Sequence, residues 1–154
     1  MSLATSRIRE LNDEFRRRGP KWATILGRVQ LDEDGWYLTD GINAFGSLFC
    51  LEAVRAVQGF DSFTADNDPH AERDFGSVEV AGQRLFWKID YYDLQLRYGS
   101  DDPANPDVTR RVITIMLASE YRGQQLWQEL GKCLASFHPR SCNHVIMERL
   151  HRLE

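Results

Sequence analysis

A chain of 154 residues can bury one core, and with 42% hydrophobic and 27% charged residues it has a globular composition, which excludes disordered, collagen-like and low-complexity classes. No apolar run approaches the roughly 18 residues of a membrane span, and the N-terminus is polar and arginine-bearing instead of leader-like, so a cytoplasmic protein with no membrane partner is expected. The net charge of −4 conceals an acidic middle between basic ends: residues 1–30 hold seven Arg/Lys against three Asp/Glu, residues 31–108 five against sixteen, and residues 109–154 seven against four.

Ile8, Leu11 and Phe15 recur at helical spacing and predict an amphipathic helix over about 5–18, ended by Arg16, Arg17 and Arg18 in its last turn and by Gly19-Pro20. Three adjacent arginines fan around a helix, so they are a weak phosphate-binding face. Residues 24–31 are rich in β-branched and aliphatic side chains and run into Asp32-Glu33-Asp34-Gly35, which predicts a strand and a turn. Ser47 is the expected N-cap of a mostly apolar helix that ends at Gly59.

From Phe75 to Tyr92 two alternating runs flank Ala81-Gly82, and a turn there pairs Val78 with Leu85, Gly76 with Trp87 and Glu79 with Arg84. Val78, Val80, Leu85, Trp87, Ile89 and Tyr91 then face inward, and Phe75, Phe86, Lys88, Asp90 and Tyr92 form a mixed opposite face. The turn-rich stretch 99–107 predicts a surface connection. Residues 111–117 are apolar on both faces and predict a central strand. Leu126, Leu130, Leu134 and Phe137 mark a helix over about 123–137, and Ile146, Leu150 and Leu153 a shorter one from about 142. The sum is a single α+β domain over 1–154: a small antiparallel sheet, made of the 75–92 hairpin and strands near 24–31 and 111–117, packed with about four helices.

Asp66, Asp68, His70, Glu72 and Asp74 alternate along one short stretch, and the hairpin is expected to return Asp90 and Asp93 towards them. Carboxylates with one imidazole suit a hard or borderline divalent ion, which makes Asp66, Asp68, His70, Glu72, Asp90 and Asp93 the candidate metal ligands. An EF-hand is excluded, because Ala71 and Ser77 stand where its glycine and glutamate belong. The competing expectation is structural, with Asp and Asn side chains building turns and His70 making a local hydrogen bond.

Phe86, Trp87, Tyr91, Tyr92 and Tyr98 crowd one region, but their acidic neighbours repel a phosphate backbone, so packing is expected in place of base stacking. Cys50, Cys133 and Cys142 form no CxxC pair, and Cys142 with His144 lacks zinc-finger spacing, so free thiols are expected. GxSxG, P-loop, GxGxxG and HExxH signatures are all absent.

Asp66-Asn67-Asp68-Pro69-His70 with Asp74-Phe75-Gly76, then Phe86-Trp87-Lys88-Ile89-Asp90-Tyr91-Tyr92-Asp93, Tyr98-Gly99-Ser100 and Ile115-Met116-Leu117-Ala118-Ser119-Glu120-Tyr121, resemble a bacterial family of unknown function, the one numbered 3768. The resemblance runs over about 5–121 and leaves 122–154 as a C-terminal helical extension. Where relatives often carry a second histidine after the DPH motif, this chain has Arg73. The family implies no reaction; its frequency on bacterial plasmids and mobile elements implies accessory work such as blocking host defence. The leading expectation is therefore a non-enzymatic protein that binds a macromolecule, a protein sooner than a nucleic acid, through Asp66, Asp68, Asp74, Asp90, Asp93, Asp101 and Asp102. A metal-dependent hydrolase is the alternative; otherwise no cofactor is expected.

Overall fold

The computed structural model describes residues 2–20 and 35–121. Among these, helix α1 (Leu3–Arg18) comes first, then strand β1 (Trp36–Leu38), the short helix α2 (Asp40–Asn43), helix α3 (Ser47–Gln58) and strands β2 (Phe75–Val80), β3 (Gln83–Tyr92) and β4 (Arg110–Leu117). Helical backbone resumes at 118–121. The expected strand at 24–31, the two C-terminal helices, Cys133, Cys142 and His144 lie outside the described residues.

The sheet order is β1-β4-β3-β2. β2, β3 and β4 form an antiparallel meander, but β1 runs parallel to β4, with Trp36 opposite Ile113 and Leu38 opposite Ile115. The sheet is therefore mixed where an antiparallel one was expected. β1 supplies three residues, too few to show an alternating pattern, and its place is decided by the fit of Trp36 and Leu38 into the core.

The hairpin has the register its sequence predicts: Val78 pairs with Leu85, Gly76 with Trp87 and Glu79 with Arg84. Ala81 and Gly82 both have positive φ, 47° and 76°, as a two-residue turn of the right twist requires. β4 lies between β1 and β3, so the strand apolar on both faces is indeed central. α1 begins two residues earlier than expected, where the Ser2 hydroxyl accepts a hydrogen bond from Thr5 N at 3.0 Å. α3 starts from Gly46 as its N-cap, not from Ser47, which is already helical.

The core fills one face of the sheet. Trp36, Leu38, Ile113, Ile115, Leu85, Trp87 and Ile89 project from the strands towards Phe49, Cys50, Ala53, Val54 and Val57 of α3, with Phe15 of α1 and Ile42 of α2 closing the sides. Gly76 makes room for the largest of these residues, since a β-carbon there would stand 2.7 Å from Trp87 Nε1. Phe60 and Phe63 cover the same indole edge-on, at centroid distances of 5.6 and 6.2 Å. On the other face Phe75, Phe86 and Tyr121 form an aromatic trio. No helix among the described residues is long and apolar enough to cross a membrane.

Candidate functional site

β2 begins, β3 ends and β4 begins at the same end of the sheet, so the connections 61–74 and 93–109 both emerge there. These two connections carry the acidic residues Asp61, Asp66, Asp68, Glu72, Asp74, Asp93, Asp101, Asp102 and Asp107. A line of polar side chains from α1 and β4 ties the two connections together. The Asn12 amide donates to Glu72 O at 2.9 Å and to the Tyr91 hydroxyl at 2.7 Å. Arg111 donates through Nε to Asn12 Oδ1 at 2.8 Å and through Nη2 to Pro103 O at 2.6 Å. Asn12 is fully buried, Arg111 nearly so, and its guanidinium lies 5.5 Å from the Tyr91 ring centre. Burial pulls the Arg111 guanidinium pKa below its ordinary value, and burial raises that of the Tyr91 hydroxyl, against the lowering effect of its bond from Asn12.

A second polar group braces the 61–74 connection against α1. Asp13 accepts from Arg16 at 3.0 Å and from Arg73, and the fully buried Arg16 donates to the last-turn carbonyls Val57 O and Gln58 O of α3 at 2.7 and 2.9 Å. Arg73 serves here as the ion-pair partner of Asp13, and its guanidinium is stacked 5.0 Å from the centre of the Phe63 ring.

The candidate acidic residues divide by role. The Asp68 carboxylate accepts from the backbone N–H groups of Glu72 and Arg73, both at 3.0 Å, and so closes its own turn. Asp93 and Asp102 do the same for Arg97 N at 2.9 Å and Ala104 N at 3.2 Å. Asp66, Asp101 and His70 are exposed. Asp74 is half-buried, and burial, reinforced by Glu72 and Asp68, pushes its carboxyl above the ordinary range.

Asp90 corrects the expectation that the far end of the hairpin rejoins the acidic stretch as one cluster. It alternates with Tyr91, which faces Glu72 and Asn12, and therefore lies on the opposite side of the sheet, where it pairs with Lys88 at 2.9 Å. Asp93 is turned into the 93–98 bend. Among the described residues no three His, Cys, Asp or Glu side chains come together as a metal site would require. Thus Asp66, Asp68, His70, Glu72, Asp90 and Asp93 do not converge on one ion.

Of the clustered aromatics, Trp87 and Tyr92 are buried and Phe86 packs against Phe75, whereas Tyr98 is 58% exposed. An open cleft of about 300 Å³ lies between α1 and β4. Its polar lining is Glu14, Arg18, Thr109, Arg110 and Arg111, which contains no nucleophile paired with a base.

Asn12, Arg16 and Arg111 carry this end of the molecule and were not among the expected site residues. The signal was present: Asn12 and Arg16 fall on the helical stripe of Ile8, Leu11 and Phe15, and Arg111 is in phase with Ile113 and Ile115. A polar side chain on an apolar stripe must find buried partners.

No curated protein and no solved structure matches the chain. A family model described as protein of unknown function (DUF3768) matches residues 38–120, a span that takes in the acidic connections, the hairpin and β4 but not α1. The chain belongs to the DUF3768 family.

Proposed function

We propose that the protein is a non-enzymatic binding module that captures a basic protein through the acidic end of its sheet, in accessory work of the kind a bacterial mobile element carries, such as countering host defence. The observation that supports it best is the pair of acidic connections joined by the Asn12–Arg111 line, which offers Asp66, Asp101 and Asp102 to solvent from a braced base. Buried hydrogen bonds of this kind hold loop geometry fixed, which lowers the ordering cost of binding. The same negative field disfavours nucleic acid and speeds encounter with a positively charged protein.

A photo-crosslinking amino acid at Asp107, used in cells that carry the gene, tests this. A discrete protein adduct is expected, reduced at least about tenfold by the triple change Asp66→Lys, Asp101→Lys and Asp102→Lys, while the protein stays folded, since the exposed changes at Asp66 and Asp101 cost about 0.5 kcal/mol or less each and loss of the Asp102 turn cap about 1 kcal/mol. Unchanged cross-linking by the folded triple variant rejects the proposal. The rival, metal-assisted hydrolysis, requires the separated carboxylates to gather; calorimetric titration with manganese or zinc that gave a stoichiometric site would favour it.

A further inference from the structure

Leu94, Tyr98 and Val108 are 51%, 58% and 46% exposed, and all three stand on the 93–109 connection, among Asp93, Asp101, Asp102 and Asp107. Exposed apolar side chains on a floppy loop would mean little. This loop is held at many points. Asp93 N bonds to Tyr98 O at 2.8 Å, Gly99 bridges to Tyr92, and Ser100 N bonds to Tyr91 O at 3.1 Å. The Ser100 and Thr109 hydroxyls are 2.6 Å apart, Thr109 donates to Asp102 O at 2.6 Å, and Arg111 holds Pro103 O. The backbone that carries these three exposed apolar groups is thus tied down between β3 and β4.

Apolar and aromatic anchors ringed by charge are the ordinary anatomy of a protein-binding surface, with the anchors giving affinity and the rim setting the sign of the partner. Four aspartates in one connection oppose self-association through this surface and favour lysine and arginine across from it. We propose that the 93–109 connection docks a basic amphipathic segment of a partner protein, its apolar side chains over Leu94, Tyr98 and Val108 and its cationic ones against Asp101, Asp102 and Asp107. This rests on the acidic-end reading above and adds to it the apolar half of the recognition.

The test uses the full chain and three fluorescent peptides: lysines and leucines at helical spacing, the same charge with serine for leucine, and the same apolar face with glutamine for lysine. Anisotropy should show the first binding at least about tenfold more tightly than either other, a gap that Tyr98→Ser and Leu94→Ser each narrow and Tyr98→Phe preserves. Equal binding of the serine peptide, unaffected by Tyr98→Ser, overturns the inference and leaves the acidic reading standing. No binding by any of the three also overturns it; the cross-linking experiment then decides the acidic reading separately. Concentration-dependent self-association abolished by Tyr98→Ser would assign the surface to a second copy and likewise overturn it.

Discussion

Asp68 and Asp74 stand six residues apart in the same connection and have different surroundings. Asp68 satisfies two backbone N–H groups and thereby holds Ala71 and Arg73 at φ of 57° and 55°, a left-handed conformation that costs a non-glycine residue about 1 kcal/mol. Asp74 has no ion pair among the described residues, and burial beside Glu72 and Asp68 raises its pKa above 3.8. A carboxyl that binds its proton more tightly folded than unfolded favours the fold below its ordinary pKa, and that advantage is lost as pH rises through the folded value. Asp13 has the opposite sign. Burial alone would raise it, but hydrogen bonds from Arg16 and Arg73 prevail and leave it below 3.8, so its contribution is present above that value and fades as pH falls through the folded one. Asp74→Asn should therefore raise the thermal midpoint near neutral pH and lose that gain below about pH 4, with the Asp13 contribution common to both proteins. Scanning calorimetry at the two pH values checks this; an equal displacement at both would show that Asp74 does not titrate as described.

At the scale of elements, the hairpin shows local chemistry and tertiary packing in agreement. Its turn demands positive φ at both central residues, and Gly82 meets that demand where Ala81 does so under strain. Ala81→Asn creates the preferred Asn-Gly pair and should stabilise the protein by about 0.5–1 kcal/mol, read as a higher urea midpoint with unchanged slope. A lower midpoint would mean that the Ala81 methyl group has a role in the turn that its exposure does not suggest. β1 is the contrasting case. Its three residues carry no legible period, and only contact with β4 and α3 makes them a strand. Glu120 secures that junction, accepting from Thr39 Oγ1 and Leu117 N, both at 2.7 Å, and from Gly41 N at 3.2 Å, which gives the motif around Tyr121 a structural task.

At the scale of the whole molecule, α1 lies outside the span matched by the family model, yet Asn12 joins it to the 61–74 connection, β3 and β4 at once. Asn12→Ala leaves the buried Arg111 Nε without its acceptor and should cost about 2 kcal/mol. Tyr91→Phe should cost less, and the two should couple by about 1 kcal/mol in a double-mutant cycle. Because Arg111 loses a contact that orients it, Asn12→Ala should also speed amide exchange in both acidic connections. Additive energies, or faster exchange confined to one connection, would show that the two are braced independently.

α1, α3, the hairpin with its register and the central place of β4 were all legible in the order of the residues alone. Each of these follows from interactions among near neighbours: helical or alternate spacing, and turn residues that admit few conformations. The acidic content of the middle segment was equally legible, but its arrangement was not. Whether Asp90 joins Asp74 depends on which side of the sheet the 61–74 connection packs against, and α1 decides that through Asn12, bonded to Glu72 O, and Asp13, paired with Arg73. Contacts between residues 60 to 99 positions apart brought the two connections to one braced end. Spacing rules do not reach that far, because such contacts form only once the core has set the distance between their backbones.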